Sequence, residues 1–233
     1  MKKRISLIAV LAVAIVAVAI PSANAAATRY ITVSAQGVVK VVPDAVRINA
    51  TATSVAASSK EALAATAKTS TALRAALKAA KIESKDIATQ SVSVYPEYKY
   101  TNDGGSTLTG YRASQSFTIT VRAADTAGAI VDSLVAAGGD NLQINGATPF
   151  VLDSTKSLEA ARAAAVKSAK AKASSYAKLM GVKLGKVNYL VENSSPTNYT
   201  PVMGVAKAEN DATVIDFGQQ DVTIAVTVQW SLV

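Results

Sequence analysis

The chain has 233 residues, with 24 lysines and arginines against 16 acidic residues, and it has neither histidine nor cysteine. It therefore lacks the usual neutral-pH proton shuttle and the common ligands of zinc, copper, haem and iron–sulfur centres. Ser-His-Asp and Cys-His sites, disulfides and the cysteine anchor of a bacterial lipoprotein are excluded as well. The remaining candidates are carboxylates, which could bind calcium or act as a glycosidase pair, but their spacing fits no loop motif: Asp153 and Glu159, or Glu209, Asp211 and Asp216. We therefore expect a protein that is not an enzyme, with no catalytic, cofactor-binding or metal site.

Residues 1–25 predict a cleaved secretory signal peptide. A cationic head at residues 2–4 precedes an apolar run at residues 5–20, and the small-residue triplet ending at Ala25 follows Pro21. This order is typical of an export signal, whereas a membrane anchor needs about 20 apolar residues. We expect cleavage after Ala25, with Ala27 as the alternative. The predicted location is the periplasm, and an association with the outer membrane is left open.

Residues 26–233 are predicted to form one domain. Removing 25 of the 233 residues leaves 208, and losing the three cations of the head lowers the net charge from +8 to +5. This length is sufficient for a hydrophobic core, and the charge favours anionic partners such as lipid head groups. No arginine cluster with interleaved aromatic residues is present, so no nucleic-acid partner is expected. No later segment is long and apolar enough to be a transmembrane segment of the mature form.

The first elements are two strands and a helix. Apolar residues alternate with polar ones from Ile31 and again from Val46, which is typical of half-buried strands. A capping box predicts that a helix begins at Ser58, whose side chain reaches forward while that of Glu61 reaches back.

A hairpin follows this helix. Alternation from Ile87 predicts a strand, residues 102–105 (Asn-Asp-Gly-Gly) predict a tight turn, and Tyr111 begins the return strand. The two arms carry four tyrosines: Tyr95, Tyr98, Tyr100 and Tyr111. Such residues pack across strands in many sheets, and they are also our candidates for an oligomer or ligand surface.

The remaining pattern predicts a short helix capped by Asp125, a strand from Leu142, a long helix ended by Gly181 and two more strands around a loop at residues 193–213. The second to fifth strands follow the order β-α-β-β-α-β, which is a split, ferredoxin-like arrangement. The predicted fold class is α+β, consisting of this unit, the long helix and additional antiparallel strands.

The long helix carries two features of interest. Lys156, Lys167, Lys170 and Lys178 occupy one face, which is usually a solvated face. Arg162 falls within the opposite apolar stripe, where an unpaired charge is unfavourable. Arg162 therefore needs a partner, unless its side chain reaches solvent.

Motifs distributed over nearly the whole mature chain resemble the SIMPL domain (DUF541) family. Each is weak alone, and their order carries the resemblance: Pro43-Asp44, Thr89-Gln90-Ser91-Val92, Tyr95-Pro96, Gly110 to Ser114, Phe150, Ala161-Arg162, Ala169 to Ala173, Gly181, Gly185 and the strand ending at Trp230. The resemblance implies an envelope protein that is antigenic in pathogens, linked in some bacteria to oxidative-stress tolerance, and without an established reaction. It also implies assembly into large oligomers, and it suggests Asp44 as the structural ion-pair partner of Arg162. Asp216-Phe217-Gly218 replaces the family's frequent Pro-Gly, so that turn is expected to differ.

These observations predict a non-enzymatic periplasmic or envelope protein that self-associates as a homo-oligomer and contributes to envelope or oxidative-stress resistance. Self-association is expected through strand edges or the tyrosine hairpin, because a sheet must leave edges somewhere. The alternative is a binding module that uses the lysine face for an anionic envelope component, either a lipid or a polysaccharide.

Overall fold

The computed structural model describes residues 29–100, 104–193 and 213–233. The strands in these ranges are β1 (Tyr30–Val41), β2 (Ala45–Ala56), β3 (Ile87–Tyr100), β4 (Ser106–Val121), β5 (Leu142–Phe150), β6 (Leu184–Asn193) and β7 (Gln220–Leu232). The α-helices are α1 (Ser59–Ala79), α2 (Ala127–Gly138) and α3 (Thr155–Leu179). The predicted signal peptide with its cleavage site, most of the hairpin turn and nearly all of the predicted loop at 193–213 lie outside the described residues.

Strands β2 to β5 form an antiparallel sheet in the order β3-β4-β2-β5. Helix α1 packs against β2 and β4, and α2 packs against α1 and β5. Each helix connects two parallel strands that have one antiparallel strand between them. This is the split β-α-β-β-α-β arrangement, so the predicted α+β class is confirmed.

One face of this sheet is apolar because alternate residues of β2 and β4 point toward the helices. The largest side chains of this first core are fully buried: Val46, Ile48, Phe117, Ile119, Val121, Leu73, Leu77 and Leu134. Burial of each such side chain contributes about 1.5–3 kcal/mol. The opposite face carries hydroxyl and amide side chains.

The remaining strands form a second antiparallel sheet in the order β1-β7-β6. Alternate residues of β7 from Val222 to Trp230 are buried beneath α3, which lies over β1 and β7. The first and last described strands are therefore neighbours. Since α3 has few contacts with β6, the strand β6 is largely exposed on both faces.

Helix α3 contacts this sheet through a row of alanines spaced four residues apart. Ala161, Ala165, Ala169 and Ala173 are fully buried. Short side chains allow a close approach, and it is closest at Gly37 of β1. A Cβ added at Gly37 would lie 2.1 Å from the carbonyl oxygen of Ala161 and 2.3 Å from the backbone nitrogen of Ala165. The helix and the strand are thus in direct backbone contact.

The two predicted helix starts have different outcomes. Ser58 caps α1 as expected, because its Oγ accepts a hydrogen bond from the backbone N–H of Glu61 at 3.2 Å. The prediction that Asp125 caps α2 is wrong. Residues Ala124–Thr126 form a separate 3₁₀ turn, and α2 begins only at Ala127. This turn places Asp125 ahead of the N-cap position.

Candidate functional site

Strand β3 forms one edge of the four-stranded sheet, and within the described ranges it pairs only with β4. Its 14 residues are nearly all exposed. Edge strands present unpaired backbone groups, and proteins usually protect them with charged residues, proline or bulges. Residues 87–95 contain neither a charge nor a proline, although the register with β4 shifts once, between Thr89 and Ser91. The first proline of the strand is Pro96, and the first charge is Glu97. We call residues 87–95 the open edge.

The open edge carries apolar side chains on the helix side of the sheet. Val92 pairs with Gln115 and Val94 with Ala113, and both partners face α1. Helix α1 does not extend over these valines, so that 56% of Val92 and 38% of Val94 remain exposed. An apolar strip thus lies beside an unpaired backbone edge.

The four predicted tyrosines lie on this hairpin, but not on one face. Pro96 pairs with Tyr111, and alternation along β3 places Tyr98 and Tyr100 on the same face as Pro96. Tyr98 and Tyr100 are exposed, whereas Tyr111 is half-buried. Tyr95 lies on the opposite face. The expected single cluster is therefore divided between the two faces of the hairpin.

A bulge in β4 separates the outer part of the hairpin from the sheet. The register shifts between Glu97 and Tyr98, where β3 advances by one residue while β4 advances by two. Gly110 occupies the bulge with φ of 155°, and a Cβ there would lie 2.7 Å from the carbonyl oxygen of Ala56. A larger residue at this position would be unfavourable, because its Cβ would clash with Ala56 and its backbone would need a positive φ.

An ion pair stabilises the hairpin next to this bulge. Nη2 of Arg112 donates to Oε1 of Glu97 at 2.6 Å, and both side chains are 35% exposed. This hydrogen bond raises the pKa of Arg112, against an opposing effect of desolvation. The guanidinium therefore stays charged, with its orientation determined by Glu97.

The face of this sheet that points away from the helices is a network of half-buried polar side chains. Side-chain hydrogen bonds cross the strands between Thr51 and Ser116 (3.1 Å), Thr53 and Ser114 (3.1 Å), Thr118 and Asn49 (2.9 Å), and Asn145 and Thr51 (2.7 Å). We call this surface the polar face.

A cavity of about 860 Å³ opens at one end of the polar face. Hydroxyl groups of the strands line it, together with three polar residues around the start of β5 and two residues of the hairpin: Thr51, Thr53 and Ser114; Asp140, Asn141 and Gln143; Tyr95 and Arg112. It brings together Tyr95, Arg112 and Ser114, which belong to motifs quoted from the sequence, with residues of β2 and around the start of β5 that no motif indicated.

The structure does not bring Arg162 and Asp44 together, so the predicted ion pair is corrected. Nε and Nη2 of Arg162 donate to the two carboxylate oxygens of Glu192 on β6, at 2.9 and 3.3 Å. This bond raises the pKa of Arg162. Residues four positions apart on a helix differ by about 40° around its axis. The face of α3 that contacts the sheet therefore turns along the helix, and at Ala161 and Ala165 it lies to one side of Arg162. Half of the Arg162 side chain is exposed.

Asp44 has a different structural role. Its Oδ1 accepts a hydrogen bond from the backbone N–H of Leu152 at 2.8 Å. Leu152 lies between β5 and α3, so Asp44 connects the turn before β2 to the segment that leads into the long helix. Nearby, Nε2 of Gln220 donates to the carbonyl oxygen of Pro149 at 2.9 Å and joins the two sheets.

The four lysines of the predicted lysine face are all exposed on α3. Within the described ranges, none of Lys156, Lys167, Lys170 and Lys178 forms a salt bridge. Lys172 lies apart from them, and its Nζ donates to the carbonyl oxygen of Ser34 at 3.2 Å.

Among the residues that the structure describes, no three carboxylates are close enough to hold a metal ion. In the same ranges, no helix has the length and apolar character required to cross a membrane. The fold and surfaces therefore define an α+β protein with a ferredoxin-like sheet and a second sheet, an open strand edge and a polar cavity.

Comparison with known proteins places the chain in a family. The profile of the SIMPL family, described as a protein of unknown function (DUF541), matches residues 31–230, and the chain belongs to this family. It is 29% identical over 215 residues to the 26 kDa periplasmic immunogenic protein of Brucella melitensis, covering 87% of this chain and 84% of that protein. The protein of the same name from Brucella abortus gives the same identity and coverage.

The chain is also 30% identical over 150 residues to the uncharacterized protein YggE of Edwardsiella ictaluri, covering 62% of this chain and 61% of that protein. The Brucella relatives are named as periplasmic, and none of the three relatives is named as an enzyme. The family resemblance seen in the motifs is thus confirmed.

Proposed function

We propose that this chain is a non-enzymatic protein of the cell envelope that self-associates through the open edge of β3. The observation that carries this proposal is the uncharged, exposed stretch at residues 87–95, which includes the exposed side chains of Val92 and Val94. A second copy that adds its own β3 in antiparallel orientation would satisfy both backbone edges and cover both apolar strips.

The edges formed by β5 and β6 are better protected. The edge formed by β5 is shorter, carries Pro149 and has a register shift beside Gly146. The edge formed by β6 carries Lys186 and Glu192. Such residues limit edge-to-edge pairing. The edge formed by β1 has a charge only near its end, at Lys40, but Lys172 of α3 donates to the carbonyl oxygen of Ser34 on this strand at 3.2 Å. Residues 87–95 of β3 have no charge and no proline over nine residues, which span about 30 Å at 3.3–3.4 Å per residue, and their register with β4 shifts once, between Thr89 and Ser91.

An antiparallel β3–β3 contact is self-complementary and produces a two-fold dimer. Larger assemblies require a second contact, for which Tyr98 and Tyr100 are candidates because both are exposed beyond the bulge. The envelope location is supported by the names of the Brucella relatives. The contribution to envelope or oxidative-stress resistance follows from the family resemblance.

The test is a charge placed on the open edge. We expect Val92→Lys to convert the purified protein to a monomer, measured by size-exclusion chromatography with light scattering, because each dimer would bring two buried ammonium groups together. Val187→Lys is a matched control, since Val187 is 55% exposed on the edge strand of the other sheet, compared with 56% for Val92.

A wild-type protein that is monomeric at 100 µM, or an equal loss of mass in both variants, would contradict the proposal. In cells, a deletion strain that carries the Val92→Lys variant should remain as sensitive to peroxide as the strain without the gene. Complementation equal to wild type would show that self-association is not needed for resistance.

The alternative function is binding of an anionic envelope component through the lysine face. It is favoured by four exposed ammonium groups without a carboxylate partner in the described ranges. The probe is a vesicle of phosphatidylglycerol compared with one of phosphatidylcholine. Lys167→Gln with Lys170→Gln should weaken binding to the anionic vesicle, and Lys60→Gln with Lys68→Gln on α1 is the control. Equal binding to both vesicles would exclude this alternative.

A further inference from the structure

We propose that the cavity on the polar face binds a neutral oligosaccharide. Sugars present hydroxyl groups that both donate and accept hydrogen bonds, so their sites need groups with the same dual capacity. The hydroxyls of Thr51, Thr53 and Ser114 have it, and the amides of Asn141 and Gln143 provide donors and acceptors in a fixed plane.

The cross-strand hydrogen bonds leave the floor of the cavity ready to bind. Thr53 and Ser114 share one hydrogen bond at 3.1 Å, and together they have two O–H groups. One O–H is used in this bond and the other is available to a ligand, while the bond restrains both side chains. Since these side chains are already half-buried and oriented, little rotamer entropy is lost on binding.

The charges of the cavity argue against an anionic ligand. Arg112 is its cation, and that guanidinium is paired with Glu97 at 2.6 Å. Asp140 adds a negative charge to the lining. A phosphate or uronate would therefore meet no excess of positive charge. This separates the cavity from the lysine face, where the charge balance is the opposite.

Tyr95 provides the aromatic part of the site, and Val55 and Leu142 add aliphatic side chains to the lining. The side chain of Tyr95 is 47% exposed, lines the cavity and lies beside Arg112 across the strands. An exposed phenol ring has an apolar face and a polar tip, so it fits the C–H face of a sugar ring while its hydroxyl reaches the sugar's rim. A pyranose has hydroxyl groups around its rim and C–H groups on its faces. The polar floor suits the hydroxyl groups, and the aromatic ring at the side suits the C–H groups.

The dimensions agree with this ligand class. The volume of about 860 Å³ lies within the range of about 300–1,000 Å³ that is usual for ligand sites. The cavity faces away from the helices, whereas Val92 and Val94 face toward them, so the two proposals use opposite sides of the sheet and share Tyr95 alone. The test of self-association changes Val92, and the test of the cavity floor changes Thr53 and Ser114. The two proposals can therefore fail independently.

The experiment uses the purified protein, labelled with ¹⁵N, and three neutral probes: maltotriose, mannotriose and N,N′,N″-triacetylchitotriose. We expect at least one probe to shift the amide signals of Thr53, Ser114 and Asn141 at millimolar concentration. If none of the three shifts them at 10 mM, or if a trigalacturonate probe binds more tightly than all three, the proposal is overturned.

Variants then test the residues. Thr53→Val with Ser114→Ala should weaken binding at least about tenfold, because polar groups of the sugar lose their partners. Tyr95→Ala should weaken it to a similar extent, because the C–H face of the sugar loses the aromatic ring. The matched control is Ser34→Ala with Thr227→Val, which removes an equivalent cross-strand hydroxyl bond of 2.9 Å from the second sheet. Equal weakening in the control, with both proteins folded by circular dichroism, would refute the assignment.

Discussion

Gly37→Ala should separate α3 from the second sheet. The new Cβ would lie 2.1 Å from the carbonyl oxygen of Ala161, while an ordinary contact is at least 3.4 Å, so the helix must move by about 1.3 Å. The opposing atoms belong to the helix backbone and cannot be displaced by a change of rotamer.

The expected loss is about 1–3 kcal/mol, the range observed for overpacked cores. Withdrawal of α3 would also reduce the contacts of its alanine row with β1 and β7. Alanine is otherwise preferred over glycine in a strand by roughly 0.5–1 kcal/mol, so the net loss is about 0–2.5 kcal/mol. At about 2–4 °C per kcal/mol for a domain of this size, the melting temperature should fall by up to about 10 °C.

Trp230 provides the assay. It is the single tryptophan of the chain, it is 4% exposed, and it lies in the core beneath α3. Guanidinium unfolding followed by its fluorescence therefore reports on this core. Adding Ala161→Gly should not restore stability, because the contact involves the carbonyl oxygen rather than the methyl group. A variant more stable than wild type, or rescue by Ala161→Gly, would refute the backbone-contact argument.

Two further predictions concern the ion pairs. Arg162→Ala should leave the melting temperature nearly unchanged, because the Arg162–Glu192 pair is half-exposed and screened by water; a sharp fall would instead indicate a buried charge. Asp86 is buried and accepts two hydrogen bonds from Arg122, at 2.7 and 2.8 Å, which lower the pKa of Asp86. Its folded-state pKa lies below the unfolded value of about 4, so this stabilisation is present above that pH and is lost as the pH falls through the folded pKa. Asp86→Asn should therefore destabilise the protein at pH 7 and lose its effect in acid, as measured by thermal unfolding from pH 7 to pH 2.

The elements were predictable where local periodicity is strong. Phe117, Ile119 and Val121 alternate with polar residues, and this period of two identified β4 and, with its neighbours, the ferredoxin-like sheet. The cap at Ser58 and the helix end near Gly181, which has a φ of 69°, were also visible because their signals lie within a few residues of each other.

What escaped prediction depends on distant pairing. No local pattern indicates that β1 pairs with β7 in a sheet separate from the ferredoxin-like one. The same limitation explains the error at Arg162, because a helical projection shows which residues share a face but not which strand lies beside it. Glu192 is on β6, 30 residues from Arg162, and nothing in its own sequence context distinguishes it. The cavity was missed for the same reason, apart from Tyr95.

The pairing of β1 with β7 has a consequence for the order of folding. Thr32 and Gln229 are hydrogen-bonded although they are 197 residues apart, whereas the four-stranded sheet is complete within residues 45–150. During synthesis, the ferredoxin-like unit can form while β1 is still unpaired. Closing so long a loop is entropically unfavourable and slow. The alanine row of α3 is then the last part of the core to be covered. A chain whose synthesis stops before β7 would expose that row together with the unpaired strand β1.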